Sequence, residues 1–180
     1  MSWTARTKKD VIIAGTLGLG ADLFCQCVCE DKDVRTIDKR RAAAIAIFTG
    51  GYIGVTCNYI YSLYPHLSRK IAQSILPANI CQARTLGIVS TAADNLVHVP
   101  ILYIPSYFLA VGSMQGMPLS TSVRNMQDGW SSAVGTCWLF WIPFMAFNFR
   151  FMPPSHRVRA VAGANFCWTV ALDFITQKSD

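Results

Sequence analysis

The stretch that decides the fold is Trp130–Asp173, WSSAVGTCWLFWIPFMAFNFRFMPPSHRVRAVAGANFCWTVALD. Two apolar segments flank a short basic corner, Phe149 to Arg157. Pro153 and Pro154 stop a helix that arrives from the N-terminal side, because proline lacks the N–H and its ring clashes with the preceding turn. Ser155 then offers a hydroxyl to cap the next helix. The stretch predicts a helical hairpin with one apolar arm at 130–151 and a second at 158–176. Asn148, Arg150, Pro153 and Arg157 form its polar corner, and Trp168 lies on the second arm. Arg150 is placed to cap carbonyls freed at the corner or to reach lipid phosphate.

The rest of the chain is material for the same kind of object. Of its 180 residues 52% are hydrophobic and only 14% charged, with a net charge of +6. About a quarter of a soluble domain is charged, so too few charges remain here to coat a water-facing surface. The basic residues sit in short clusters between apolar segments: Arg6 to Lys9, Lys39-Arg40-Arg41, Arg69-Lys70, Arg157 to Arg159. That placement fits loops flanking membrane spans and anionic headgroups better than a nucleic-acid face. The expected partner is a lipid bilayer, with no nucleic acid.

Three further spans precede the hairpin. Residues 11–29 are long enough to cross a bilayer as a helix; Gly15, Gly18 and Gly20 thin one side, and Asp22 and Gln26, four apart, share a face. Residues 42–63 follow a loop of mixed charge, with Gly50 and Gly54 as a small-xxx-small pair. Tyr59, Tyr61 and Tyr64 crowd its far end, where amphipathic rings favour the membrane interface, and Pro65 is expected to end the helix. Residues 66–84 are more polar, with Pro77, Asn79 and Gln82, and suit an interfacial helix.

Residues 85–111 form the least ordinary span. It carries Asp94, Asn95 and His98, then Pro100 and Pro105. Pro100 removes the bond to the Leu96 carbonyl and predicts a kink. Gly112 to Gly129 reads as a polar connector with a short surface helix starting near Pro118. Lys and Arg on the two sides are too evenly divided to set the orientation.

Asp22, Gln26, Asp94, Asn95 and His98 are the candidate functional set. Ionisable side chains in a span face the bundle or a wet cavity. One reading is a narrow path for small polar solutes or ions, gated by carboxylate and imidazole protonation. The other is a buried hydrogen-bond network that fixes helix register.

Other chemistries find little support. Seven cysteines, an odd number lying mostly in apolar runs, argue against a disulfide framework. Cys25 and Cys29 share a helical face, Cys27 does not, and no nearby histidine completes a tetrahedron, so no metal is expected. No nucleophile elbow, phosphate loop, dinucleotide fingerprint or His-Glu-x-x-His appears, so neither an enzyme nor a cofactor is expected. The first apolar run contains Asp22 and lacks a small-residue cleavage site, so targeting information is expected to be internal.

At this point the residues resemble a known family, the small organellar membrane proteins that include Mpv-seventeen and peroxisomal membrane protein two. The resemblance runs from Gly20-Ala21-Asp22 and Gln26, through Asp38 to Arg41, Gly51 to Gly54 and Tyr59 to Tyr61, to Asp94-Asn95 with Pro100. It is most specific at Trp141 with Pro143, Asn148 to Pro153, Arg157 and Trp168. Val55, Ile60, Asn95, Ile142 and Met145 depart from the family pattern and make the interior less polar. The resemblance implies architecture and a membrane setting, without an agreed substrate.

The expectation is therefore an all-α integral membrane helical bundle of four transmembrane helices plus a C-terminal apolar helix, as a single domain over 1–180. Its expected function is channel-like, passing small solutes or ions and supporting organelle homeostasis. The alternative is a non-conducting structural subunit, in a homo-oligomer or a larger membrane complex, and the lost polar groups at Val55 and Met145 lean that way. The basic start favours the mitochondrial inner membrane, with the peroxisomal membrane as alternative.

Overall fold

The computed structural model describes residues 3–75 and 83–177, and among them the secondary structure is entirely helical. Helix α1 is Trp3–Phe24, α2 Lys39–Gly51, α3 Asn58–Ile75, α4 Ala83–Ala93, α5 Ile104–Met114, α6 Leu119–Phe151 and α7 Arg157–Gln177. Wider π turns lie at Cys25–Cys29, Tyr52–Cys57 and Asp94–Tyr103. They extend α1 and join α2 to α3 and α4 to α5. Four of the resulting rods are long and apolar enough to cross a membrane: Thr4–Cys29, Lys39–Ile71, Thr85–Met114 and Leu119–Phe151. The protein is an all-α membrane helical bundle.

The chain packs as two compact units, Met1–Asn58 with Ser113–Met117 and Val158–Asp180, and Tyr59–Gly112 with Pro118–Arg157. In the first, α1 and α2 lie antiparallel at backbone contact. A Cβ on Gly54 would fall 2.5 Å from the Val11 Cα, and one on Gly50 would fall 3.2 Å from the Val11 carbonyl oxygen. Only glycine permits that approach. Helix α7 runs parallel to α1, with Arg159 against Asp10, Phe166 against Phe24 and Thr169 against Cys25.

In the second unit, α3, the rod formed by α4 and α5, and α6 enclose an aromatic core. Tyr61 and Tyr64 pack edge-on against Phe149. These two tyrosines are buried, and only Tyr59 of the three is exposed.

Several local expectations give way to tertiary context. The helix continues through Pro65 to Ile75; one turn beyond the proline, Ser68 is tied to Ser90 of α4 by a hydroxyl bond of 2.7 Å. Helix α6 begins at Leu119, directly after Pro118, so the expected surface helix is the first part of one 33-residue rod. Ser155 does not cap α7; its hydroxyl lies 3.0 Å from His156 Nδ1. The remaining part of the interfacial stretch, including Pro77, Asn79, Cys81 and Gln82, lies outside the described residues.

Candidate functional site

The first-span pair, Asp22 and Gln26, is fully buried. Gln26 Nε2 donates to Asp22 Oδ2 at 2.7 Å and to the Asp38 carbonyl at 3.2 Å, and the Asp38 N–H donates back to Gln26 Oε1 at 2.7 Å. Asp38 is the N-cap of α2, accepting from the Arg41 N–H at 2.9 Å. Arg41 Nε lies 2.7 Å from Asp22 Oδ1 as an ion pair, although its N–H is not aimed for a hydrogen bond. Arg41 also pairs with Glu30, which Lys32 meets from the loop. Burial alone would raise the Glu30 pKa, but the hydrogen bonds from Lys32 and Arg41 outweigh it and hold the carboxyl below its usual value. Together these groups staple the end of α1 to the head of α2.

A second buried carboxylate was not legible as a site. Asp10, 1% exposed, accepts from Asn58 Nδ2 at 3.0 Å and from Arg159 Nε at 2.8 Å. In the sequence it follows Lys8-Lys9 and looks like one more flanking charge. Arg159 lies 149 residues away, so no spacing rule could find it.

The second unit holds the other half of the candidate set. Asp94 Oδ1 accepts from the Tyr64 hydroxyl at 2.9 Å and lies 2.8 Å from His98 Nδ1. All three side chains are buried. The i, i+4 spacing expected on one face does bring Asp94 and His98 together. Asn95 Nδ2 donates to the Thr91 carbonyl at 3.0 Å, while the buried Asn95 Oδ1 has no hydrogen-bond partner. Tyr61 stands edge-on to His98 with ring centroids 6.3 Å apart. Asp22 and Gln26 thus belong to one unit, and Asp94, Asn95 and His98 to the other, each group bonded within its own unit.

The turn that carries Asp94 is wide. The Ile104 N–H reaches back five residues to the Val99 carbonyl rather than four. Pro100 therefore orphans the Asn95 carbonyl, not that of Leu96 as an α-helical reading expects. The Trp138 indole fills the vacancy at 2.8 Å. Pro105 in the same register orphans the Pro100 carbonyl, and the Trp130 indole donates to it at 3.0 Å. Tyr64, Trp130 and Trp138 were not among the sequence candidates. The two prolines, five apart, were the signal available.

At the corner the capping role falls to Arg157 instead of Arg150. Arg157 donates to the Phe149 carbonyl at 3.0 Å and to that of Met152 at 3.2 Å, and its guanidinium lies over the Phe149 ring. Burial lowers its pKa. Arg150 is exposed, lying over the Phe151 ring, because its position on α6 faces away from the corner. Asn148 is fully buried; its Nδ2 donates to the Arg157 carbonyl at 3.5 Å. Pro153 follows the last turn of α6, and Trp168 is half-buried on α7. Cys25 Sγ donates to the Thr169 carbonyl at 3.8 Å. Among the described residues no group of three or more His, Cys, Asp or Glu is placed to hold a metal ion.

Known proteins resemble this chain at the level of sequence. The pattern of the Mpv17 / PMP22 family matches residues 112–173. Protein SYM1 of Saccharomyces cerevisiae is 29% identical over 91 residues, 51% of this chain and 46% of that protein, so that match spans about half of each. Protein SYM1 of Kluyveromyces lactis is 28% identical over 169 residues, 94% of this chain and 82% of its own length. The mitochondrial inner membrane protein Mpv17 of Danio rerio is 22% identical over 175 residues, 95% of this chain and 90% of its own. No solved structure matches. The match at 112–173 takes in the proline corner and its Arg157 cap, and two relatives align over nearly the whole chain: this chain is similar to the Mpv17 / PMP22 family.

Proposed function

We propose that this protein is a small channel of the mitochondrial inner membrane that passes small polar solutes or ions, with its path in the second unit around Tyr64, Asp94, Asn95 and His98. The membrane is the one printed in the name of the Danio rerio relative. The observation that carries the reading is Asp94. It is a buried carboxylate within a span, bonded by a phenol and an imidazole, next to a buried amide oxygen with no partner. Ionisable groups at membrane depth are costly and mark pathways by default. Wide π turns gather at functional sites for a related reason: they present carbonyls that a regular helix would hide. Asp22 and Gln26 drop out of the path in this reading, since both are used in stapling α1 to α2.

The test is reconstitution. Purified protein in liposomes should release small polar solutes or carry ion current, and Asp94→Asn should lower the flux toward that of empty vesicles. A silent wild-type protein, or flux indifferent to Asp94→Asn, sinks the reading. The first-unit staple favours the second possibility, a non-conducting structural subunit. Its mark would be silent bilayers together with a stable co-purifying membrane complex.

A further inference from the structure

The turn Asp94–Tyr103 and α6 share a pattern that packing alone does not require. In the wide register, the donors owed to the Asn95 and Pro100 carbonyls are the nitrogens of Pro100 and Pro105, and proline has no N–H. Each vacancy is filled by a different indole of α6, Trp138 for Asn95 and Trp130 for Pro100. In an ordinary α register Ile104 would return to the Pro100 carbonyl, and Pro100 would orphan Leu96 instead. The Leu96 side chain is exposed, whereas that of Asn95 is buried. Register and indole therefore select each other: the wide turn moves the orphan acceptors to where the indoles stand.

We propose that Trp130 and Trp138 are positioning residues for the path around Asp94. Their N–H groups replace the donors missing from Pro105 and Pro100 and hold the turn open, which sets Asp94 against Tyr64 and His98. Trp138 fixes the Asn95–Leu96 peptide, and Asp94 precedes Asn95 in the same turn, so holding that peptide also helps to aim the carboxylate. A buried carbonyl without a donor is costly where no water can reach it. Removing the indole N–H should drive the turn to tighten and carry Asp94 out of place. This inference rests on the channel reading.

Crossed rescue tests it. Trp138→Phe keeps an aromatic ring and removes the donor; it should lower the melting temperature of the purified protein by about 2–4 °C and reduce flux. Adding Pro100→Ala restores a backbone N–H for the Asn95 carbonyl and should recover both measurements. Trp130→Phe should be recovered by Pro105→Ala and not by Pro100→Ala. Tryptophans that act only as packing surface would show no such pairing, so absent rescue, or equal rescue by either proline substitution, overturns the proposal. Matched rescue of melting temperature without rescue of flux overturns the positioning role as well. Flux that ignores Asp94→Asn strikes the channel reading itself, an outcome that melting data cannot mimic.

Discussion

Arg159 Nε donates to Asp10 Oδ1 at 2.8 Å, joining the first turn of α7 to the N-terminal half of α1. Asp10 is 1% exposed, while the Arg159 side chain keeps about a third of its surface. The two partners are therefore not equivalent. Arg159→Ala leaves a buried carboxylate with only Asn58 and should cost about 3–5 kcal/mol. Asp10→Asn keeps the shape and leaves a guanidinium that can turn toward solvent, so it should cost less. Thermal unfolding in detergent checks the order, and the reverse order would refute this account of the pair.

The α1–α2 contact predicts opposite outcomes for neighbouring glycines. Gly54→Ala would press a methyl to 2.5 Å from the Val11 Cα, backbone that cannot step aside, and should destabilise by about 1–3 kcal/mol. Gly51 has nothing within 4 Å of the same position. Gly51→Ala should be neutral or stabilising by up to about 1 kcal/mol, since alanine favours a helix. Paired melting curves decide the matter.

Acid should loosen the staple from its rim. The Glu30 carboxyl titrates below its usual value of 4.5 in the folded protein, through its bonds to Lys32 and Arg41. A folded pKa below the unfolded one means a stabilising contribution that is complete above the unfolded pKa. It is lost as pH falls through the folded one. The stability difference between wild type and Glu30→Gln should therefore hold from neutral pH down to about 5 and shrink below it. Its size should stay under about 1 kcal/mol. A difference that is flat through the acid range would remove Glu30 from the staple.

The corner separates two arginines that the sequence presents alike. Arg157→Lys loses a two-carbonyl clamp that an ammonium cannot span and should cost about 1–2 kcal/mol. Arg150→Ala should change stability by no more than about 0.5 kcal/mol, as at most exposed positions. Equal effects in chemical unfolding would return the capping role to Arg150.

The spans, the proline corner and the i, i+4 pairs were legible because each depends on local period or local chemistry. Asp22 with Gln26 and Asp94 with His98 follow from helical spacing alone. Their outer partners do not. Arg41 and Tyr64 come from other helices, as Arg159 does for Asp10, and nothing in spacing names them. The register of the Asp94 turn was equally hidden. Two prolines five apart suit a five-residue ladder, but the indoles that make it tolerable lie 30 and 43 residues away. Pro65 marks the limit of local rules in the other direction: a breaker in the sequence lies inside a helix that continues to Ile75, with Ser68 tied to Ser90 of α4 one turn on.

Helix α6 has 33 residues, which at 1.5 Å per residue makes a rod about 50 Å long. The hydrocarbon layer it crosses is about 30 Å thick. Its C-terminal half is dense in aromatic residues, and its first turns carry Ser120, Arg124, Asn125, Gln127 and Asp128. The surplus, on the order of 20 Å, must either tilt the rod or stand in water as a polar post. Thicker bilayers would draw that post inward, so this protein's fit to its membrane should vary with acyl-chain length.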